Sequence, residues 1–279
     1  SGRALLGFST GIDSLRPIAG APTQVLLVPR DGGDVRQFVA APCFVFHFCN
    51  AYEDAAGQIV IDGCRQAEYP VMPPLSRALS GQLWDFPVTC LTRYTIDPAA
   101  PAGSSIAEQT LPSHAVASGE PAPVPTLDGV AASDSVSAGL SLEFPRLHPA
   151  WEGRPYRYVW GIAAAPGSPY HLYTSLVRHD LQTGQTLRRE FAPWLPGEPV
   201  MVPRVPIDGR GPAAADGAAE DEGYILTVVY HGQTHRSALH VLDARTLATV
   251  CVAQLPHHTP PGFHGNFVPA ADCPPGWTI

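Results

Sequence analysis

Short runs of β-branched, aromatic and aliphatic residues recur along this chain at spacings of roughly 8–12 residues, and no stretch carries a sustained helical period. That feature excludes most architectures. A chain without amphipathic helices buries its apolar surface by packing sheet on sheet or by arranging small sheets around an axis. With 279 residues there is length enough for a sizeable core.

The strand signals run in order. Thr23 to Arg30 reads as a buried strand, Asp31-Gly32-Gly33-Asp34 as a hairpin turn, and Val35 to Val39 as the return. Cys43 to Phe48 follows, and Gly57 marks a second hairpin leading into Ile59-Val60-Ile61. Further strands are expected over Leu91 to Ile96, Leu140 to Phe144 and Tyr156 to Ile162. Tyr170 to Asp180 and Thr186 to Phe191 form an antiparallel pair around Thr183-Gly184. Pro199 to Val202, Gly223 to Tyr230, Ala238 to Asp243 and Ala248 to Ala253 complete the series. The fold class is all-β, either a β-propeller or a large sandwich. No strict 40-residue repeat decides between them. Two segments, about 97–137 and about 208–222, are rich in Ala, Pro, Ser and Gly and poor in aromatics. They are expected to be disordered surface insertions within one domain spanning 1–279.

Charge removes several function classes. Only 15% of residues are charged, the net charge is −8, and every one of the 17 basic residues is Arg. The lack of Lys reads as the codon bias of a GC-rich genome. No basic run suggests nucleic acid as a partner. No apolar run reaches the ~18 residues of a membrane span, which leaves peripheral membrane contact open. The chain opens on Ser1-Gly2-Arg3, without a start Met or a signal-peptide layout, and reads as part of something longer. Cysteines at 43, 49, 64, 90, 251 and 273 contain no CxxC and are expected to be free thiols. That suits a reducing compartment, cytoplasm or plastid.

Most of the eleven histidines carry no pattern. His257-His258 is adjacent in sequence, and neighbours on a strand point to opposite faces. His114 falls in the first insertion. His47 and His264 differ in context. His47 stands in Phe44-Val45-Phe46-His47-Phe48-Cys49-Asn50, and His264 in Gly262-Phe263-His264-Gly265-Asn266-Phe267. The glycines suggest close backbone approach and the aromatics a dry site. Imidazole is the commonest transition-metal ligand. Glu143 and Glu198 also stand in apolar company, where a carboxylate needs a partner. One reading has them hold the far nitrogens of ligating histidines. The other is an ion pair, for instance Glu143 with Arg146 or Arg154.

Four segments together resemble the carotenoid cleavage oxygenases, a family that includes stilbene-cleaving dioxygenases and the retinoid isomerohydrolase. They are Phe46-His47-Phe48-Cys49-Asn50-Ala51-Tyr52-Glu53-Asp54, Glu143-Phe144-Pro145-Arg146 with Gly153-Arg154-Pro155-Tyr156-Arg157-Tyr158, Gly197-Glu198-Pro199, and Gly262-Phe263-His264-Gly265. Each is weak alone; four in order are specific, and they match the family's C-terminal half. The resemblance implies a partial seven-bladed β-propeller with Fe(2+) on its axis. His47 and His264 would be two of four iron ligands, with Glu143 set on His47 and Glu198 on His264. It implies a dioxygenase that splits a conjugated C=C bond of a carotenoid, apocarotenoid or stilbene-like substrate with O2 into two carbonyl products. One family branch isomerises instead. Family members carry two further iron histidines and another glutamate earlier in the chain, and no histidine precedes His47 here. The competing reading is therefore a non-catalytic propeller remnant that binds a hydrophobic ligand or a partner.

Overall fold

The computed structural model describes residues 18, 20–69, 89–116, 140–164, 173–204, 219–260, 262–269 and 272–273. Among them lie sixteen strands and one 3-10 turn over Pro149–Trp151. The all-β expectation holds. β1 (Thr23–Leu27) and β2 (Arg36–Ala40) form a hairpin whose second strand is tied to residues 103–106 by backbone hydrogen bonds of Gln37 and Val39. β1 alternates between half-buried and exposed residues, so it is not the buried strand its sequence suggested. With only β2 beside it, one face meets solvent.

Three consecutive meanders make up the rest. The first is β3 (Phe44–Glu53), β4 (Ile59–Gln66), β5 (Thr89–Ile96) and β6 (Ala107–Thr110). The second starts from β7 (His114–Val116) and continues with β8 (Glu143–Arg146), β9 (Tyr158–Ala164), β10 (Tyr173–Asp180) and β11 (Gln185–Glu190). Its spatial order is β7-β11-β10-β9-β8. The third contains β12 (Leu195–Pro196) and β13 (Val200–Pro203), both paired to β14 (Gly223–His231), then β15 (Arg236–Asp243) and β16 (Thr249–Gln254). Four-stranded antiparallel meanders in succession are propeller blades.

The blades stack face to face through two apolar interfaces. Cys64 and Leu91 of the first blade meet Leu142, Val159, Ala163 and Val177. On the other side, Trp160 and Leu176 meet Ile225, Val229 and Leu242 of the third blade. Successive residues of β9 and β10 thus serve opposite interfaces, as the two-residue strand period requires. This explains why β9 is a nearly continuous apolar run rather than an alternating one. Gly161 lies within that strand because a Cβ there would sit 2.7 Å from Leu142 Cγ and 2.8 Å from the Glu143 carbonyl oxygen.

The segment 97–137 needs correction over its first half. β6 pairs with β5, β7 pairs in parallel with β11, and Leu111 between them is buried in the first apolar interface, so the chain there is ordered. Residues 117–139 and 205–218 lie outside the described residues. Within the second insertion, Glu220 is ordered: its carboxylate accepts the Arg157 and Tyr158 amide hydrogens at 2.6–2.9 Å. All six cysteines are free. Among the described residues, no helix is long and apolar enough to cross a membrane.

Candidate metal centre

Three irregularities in the blades' leading edge strands build the site. In β3 the pairing with β4 shifts register between Val45 and Phe48 and again between Phe48 and Asn50. Such bulges turn a side chain away from regular alternation, and His47 sits inside the first. Gly63 opposite leaves room for the Phe48 ring, whose Cδ1 would be 3.0 Å from an added Cβ. In β8 the register against β9 shifts between Glu143 and Arg146, and Phe144 takes φ 51°, a left-handed conformation rare for a bulky residue. The third blade's leading strand is broken: β12 and β13 hold opposite ends of β14, and Gly197-Glu198-Pro199 crosses the gap. The crossing is pinned by Gly197 N–H to the Val228 carbonyl at 2.9 Å and by the Thr227 hydroxyl to the Gly197 carbonyl at 2.9 Å.

These features bring together residues up to 217 positions apart. His47 Nδ1 is 2.7 Å from Glu143 Oε2. His264 Nδ1 is 3.0 Å from Glu198 Oε1, and the two Nε2 atoms face each other at 3.4 Å. Glu143 is 2% exposed, and its other oxygen accepts from the Thr89 hydroxyl at 3.2 Å. The ion pair between Glu143 and Arg146 or Arg154 is not formed. Arg146 instead binds Glu198 Oε1 through Nε at 3.1 Å and donates from Nη2 to the Gly265 carbonyl at 2.8 Å. Glu198 Oε2 accepts the Gly265 amide hydrogen at 2.8 Å. Burial pushes the Glu198 carboxyl up, but Arg146, the Gly265 amide and His264 outweigh it and hold it below its ordinary range.

The surroundings of His264 differ from expectation. A Cβ added at Gly262 or Gly265 would meet nothing within 4 Å, so neither glycine permits a close approach. Phe263 is 80% exposed and Phe267 45%, so they do not enclose the imidazole. Phe144 does the packing, with its ring centroid 4.7 Å from His47 and 5.6 Å from His264. Beside the histidines opens an apolar cavity of about 640 Å³, lined by Phe144, Ile162, Tyr173, Leu226, Val228 and His264 among others.

The other residues of the His47 motif are structural. Asn50 donates to the carbonyls of Trp151 and Arg154 and accepts from the Gly153 and Ala51 amides, all at 3.0 Å. Asp54 closes the β3–β4 turn by accepting from Ala56 and Gln58. Tyr156 donates to Asp62, which Arg93 grips at 2.8 Å through two nitrogens. Sequence reasoning gave no role to Phe144 or Thr89, and it named Arg146 only in the alternative ion pair with Glu143, whereas Arg146 pairs with Glu198. A threonine at a strand start carries no signal of its own, since its partner Glu143 is 54 residues away.

The donor set fits a cation. A carboxylate at each Nδ1 draws the ring proton there and turns an Nε2 lone pair outward. Two lone pairs at 3.4 Å repel unless a proton or a metal lies between them. Metal–imidazole bonds of about 2.0–2.1 Å let both nitrogens reach one ion across that gap. Two imidazoles do not fill a coordination sphere, and among the described residues no group of three or more His, Cys, Asp or Glu converges.

Residues 4–269 match the family described as Retinal pigment epithelial membrane protein. The apocarotenoid-15,15'-oxygenase of Synechocystis is 32% identical over 88% of this chain and 43% of its own length. A carotenoid cleavage oxygenase of Mycobacterium tuberculosis is 29% identical over 89% of this chain and 42% of its own. The crystal structure of cobalt-substituted Synechocystis ACO superposes with a TM-score of 0.68 at 31% identity, covering 88% of this chain and 43% of that one. The chain therefore spans a little over two fifths of these relatives. With its family match running over nearly its whole length, its propeller blades and its paired histidines, this chain belongs to the carotenoid cleavage oxygenase family.

Proposed function

We propose that this chain supplies half of the iron site of a non-haem Fe(II) dioxygenase that cleaves a conjugated C=C bond of a carotenoid, apocarotenoid or stilbene-like substrate. The observation that carries the reading is the pair of Nε2 atoms at 3.4 Å, each backed at Nδ1 by a buried carboxylate. His47 and His264 would hold the ion, and two further histidines would come from outside this chain, as the family resemblance implies. Iron bound there supplies the activation of O2 for alkene scission to two carbonyl products.

The chain's own residues do the rest. Glu143 and Glu198 hold protons at the two Nδ1 atoms, which fixes ring direction and raises the basicity of Nε2. They also place negative charge beside a site whose ligands are neutral. Phe144 packs against both rings, and the His47 side chain is 22% exposed where that of His264 is 57%. The apolar cavity suits a polyene, whose burial would be driven by its hydrocarbon surface.

Metal analysis and turnover of an apocarotenoid test this reading together. Protein that joins this chain to the segment carrying the two further histidines should bind Fe(II) or Co(II) and consume O2 with substrate, and His47→Ala and His264→Ala in it should lose both. Full activity in either variant sinks the assignment. The second reading is a non-catalytic propeller that binds a hydrophobic ligand, and it is favoured by the convergence of no more than two imidazoles among the described residues. Polyene binding without stoichiometric metal would select it.

A further inference from the structure

A buried polar chain runs away from His47 across the boundary between two blades. Gln66 ends β4 and Thr89 begins β5, and the two are direct cross-strand partners. Gln66 is 2% exposed and Thr89 3%. Gln66 Nε2 lies 3.2 Å from Thr89 Oγ1, and Thr89 Oγ1 lies 3.2 Å from Glu143 Oε1. Glu143 Oε2 then meets His47 Nδ1 at 2.7 Å.

The direction of these bonds is set by the inventory of hydrogens. A Gln amide nitrogen has only hydrogens to give, so Thr89 must accept from Gln66. The alternative amide flip would aim Gln66 Oε1 at Thr89. Thr89 has a single hydrogen, so either Gln66 or Glu143 would then go without, and two amide hydrogens would be orphaned. The arrangement present leaves only Gln66 Oε1 unpaired among these atoms. The Thr89 oxygen is therefore occupied as an acceptor, and its own hydrogen points at Glu143.

We infer that Thr89, oriented by Gln66, is a positioning residue: it donates to Glu143 Oε1, keeps that carboxylate an acceptor for His47 Nδ1–H, and so holds the His47 Nε2 lone pair toward His264. Without that donor, Glu143 would turn one buried oxygen to nothing. Its hold on the His47 tautomer would weaken although neither residue changed. This rests on the metal reading for its purpose but not for its geometry, so the two can fail separately.

Nitrogen-15 correlation spectra of histidine-labelled, metal-free protein read the tautomer directly, and Co(II) titration reads affinity. Wild type should show His47 as the Nδ1–H tautomer alone. Thr89→Val should give a tautomer mixture and about tenfold weaker Co(II) binding. Thr89→Ser, which keeps the donor, should restore both. Gln66→Met should lose a smaller share, because Thr89 keeps the hydrogen that Glu143 accepts and loses only the group that orients it, and it carries the test if Thr89→Val does not fold. A single unchanged His47 tautomer in the folded variants overturns the inference. If the tautomer shifts as stated but wild type binds no Co(II), the positioning role stands and the metal reading falls.

Discussion

Gly161→Ala should cost both stability and the metal site, because one methyl group at this position acts on both. An added Cβ would stand 2.7 Å from Leu142 Cγ, 2.8 Å from the Glu143 carbonyl oxygen and 3.0 Å from Leu142 Cδ1. Ordinary contact needs about 3.5–4 Å, so β8 must retreat by close to 1 Å. Leu142 is fully buried in the first blade interface and cannot swing outward. Overpacking of this kind costs about 3 kcal/mol, the upper part of the usual range. For a chain of this size each kcal/mol lowers Tm by roughly 2–4 °C, giving a fall of about 6–12 °C. The retreat also carries Glu143 away from His47, whose 2.7 Å contact has no slack. Co(II) affinity should therefore fall by about tenfold or more. Gly262→Ala is the control: it has open space and should change neither quantity. Thermal melts followed by circular dichroism and a Co(II) titration decide the matter. A Gly161→Ala protein that melts within 2 °C of wild type would refute the close packing of β8 on β9.

Three further outcomes follow from other parts of the structure. His179 is fully buried, and burial lowers its pKa from 6.5 to about 4, against a raising effect of Asp180 and with a lesser lowering by His114. The folded state thus favours the neutral ring. Stability is full above pH 6.5 and declines as pH falls toward about 4, by on the order of 3 kcal/mol, so His179→Asn should flatten urea midpoints over that window. Arg146→Ala should free the Gly265 carbonyl and one face of Glu198, weaken Co(II) binding about tenfold, and speed amide exchange at Gly265. All six residues of β16 are exposed on an edge strand that includes Val250 and Val252. Val252→Lys should therefore reduce concentration-dependent light scattering without changing Tm by more than a degree or two.

Long apolar strands were legible because a two-residue period with β-branched residues leaves few alternatives. β3, β9, β10, β14 and β15 all fall within a few residues of their sequence signals. β6, β7 and β12 were not legible, for a physical reason. Ala107–Thr110 is exposed and polar, and its strand character comes from the ladder to β5. His114–Val116 is a strand through a parallel pairing with residues some seventy positions on, which no local window contains. The site divides the same way. His47, Glu143, Glu198 and His264 could be singled out as polar residues in apolar company. Which carboxylate met which imidazole followed only from family resemblance, because the contacts cross 96 and 66 residues. The aromatic cover was misassigned for a related reason. Phe263 and Phe267 are near His264 in sequence, whereas Phe144 reaches it only because its left-handed backbone turns the ring inward.

The three blades place their polar residues by one device, a fault in the leading edge strand. A regular β3 would alternate strictly and leave His47 to the same constraint as its neighbours; the double register shift frees it. A regular β8 could not bury Glu143 and also turn Phe144 onto the imidazoles, and the left-handed residue allows both. An unbroken third edge strand would pair Glu198 into the ladder, and the gap between β12 and β13 releases it. Each fault disturbs the ladder, and in the second and third blades hydrogen bonds near the fault hold the displaced groups. Thr89 satisfies Glu143, Gly197 is tied to Val228, and Glu198 recovers the Gly265 amide and Arg146. His264 has no strand of its own and depends on the last of these bonds. The His47 half is thus set by packed blades, while among the described residues the His264 half is held by Arg146, Glu198 and the Phe144 ring, and perturbations should loosen the second before the first.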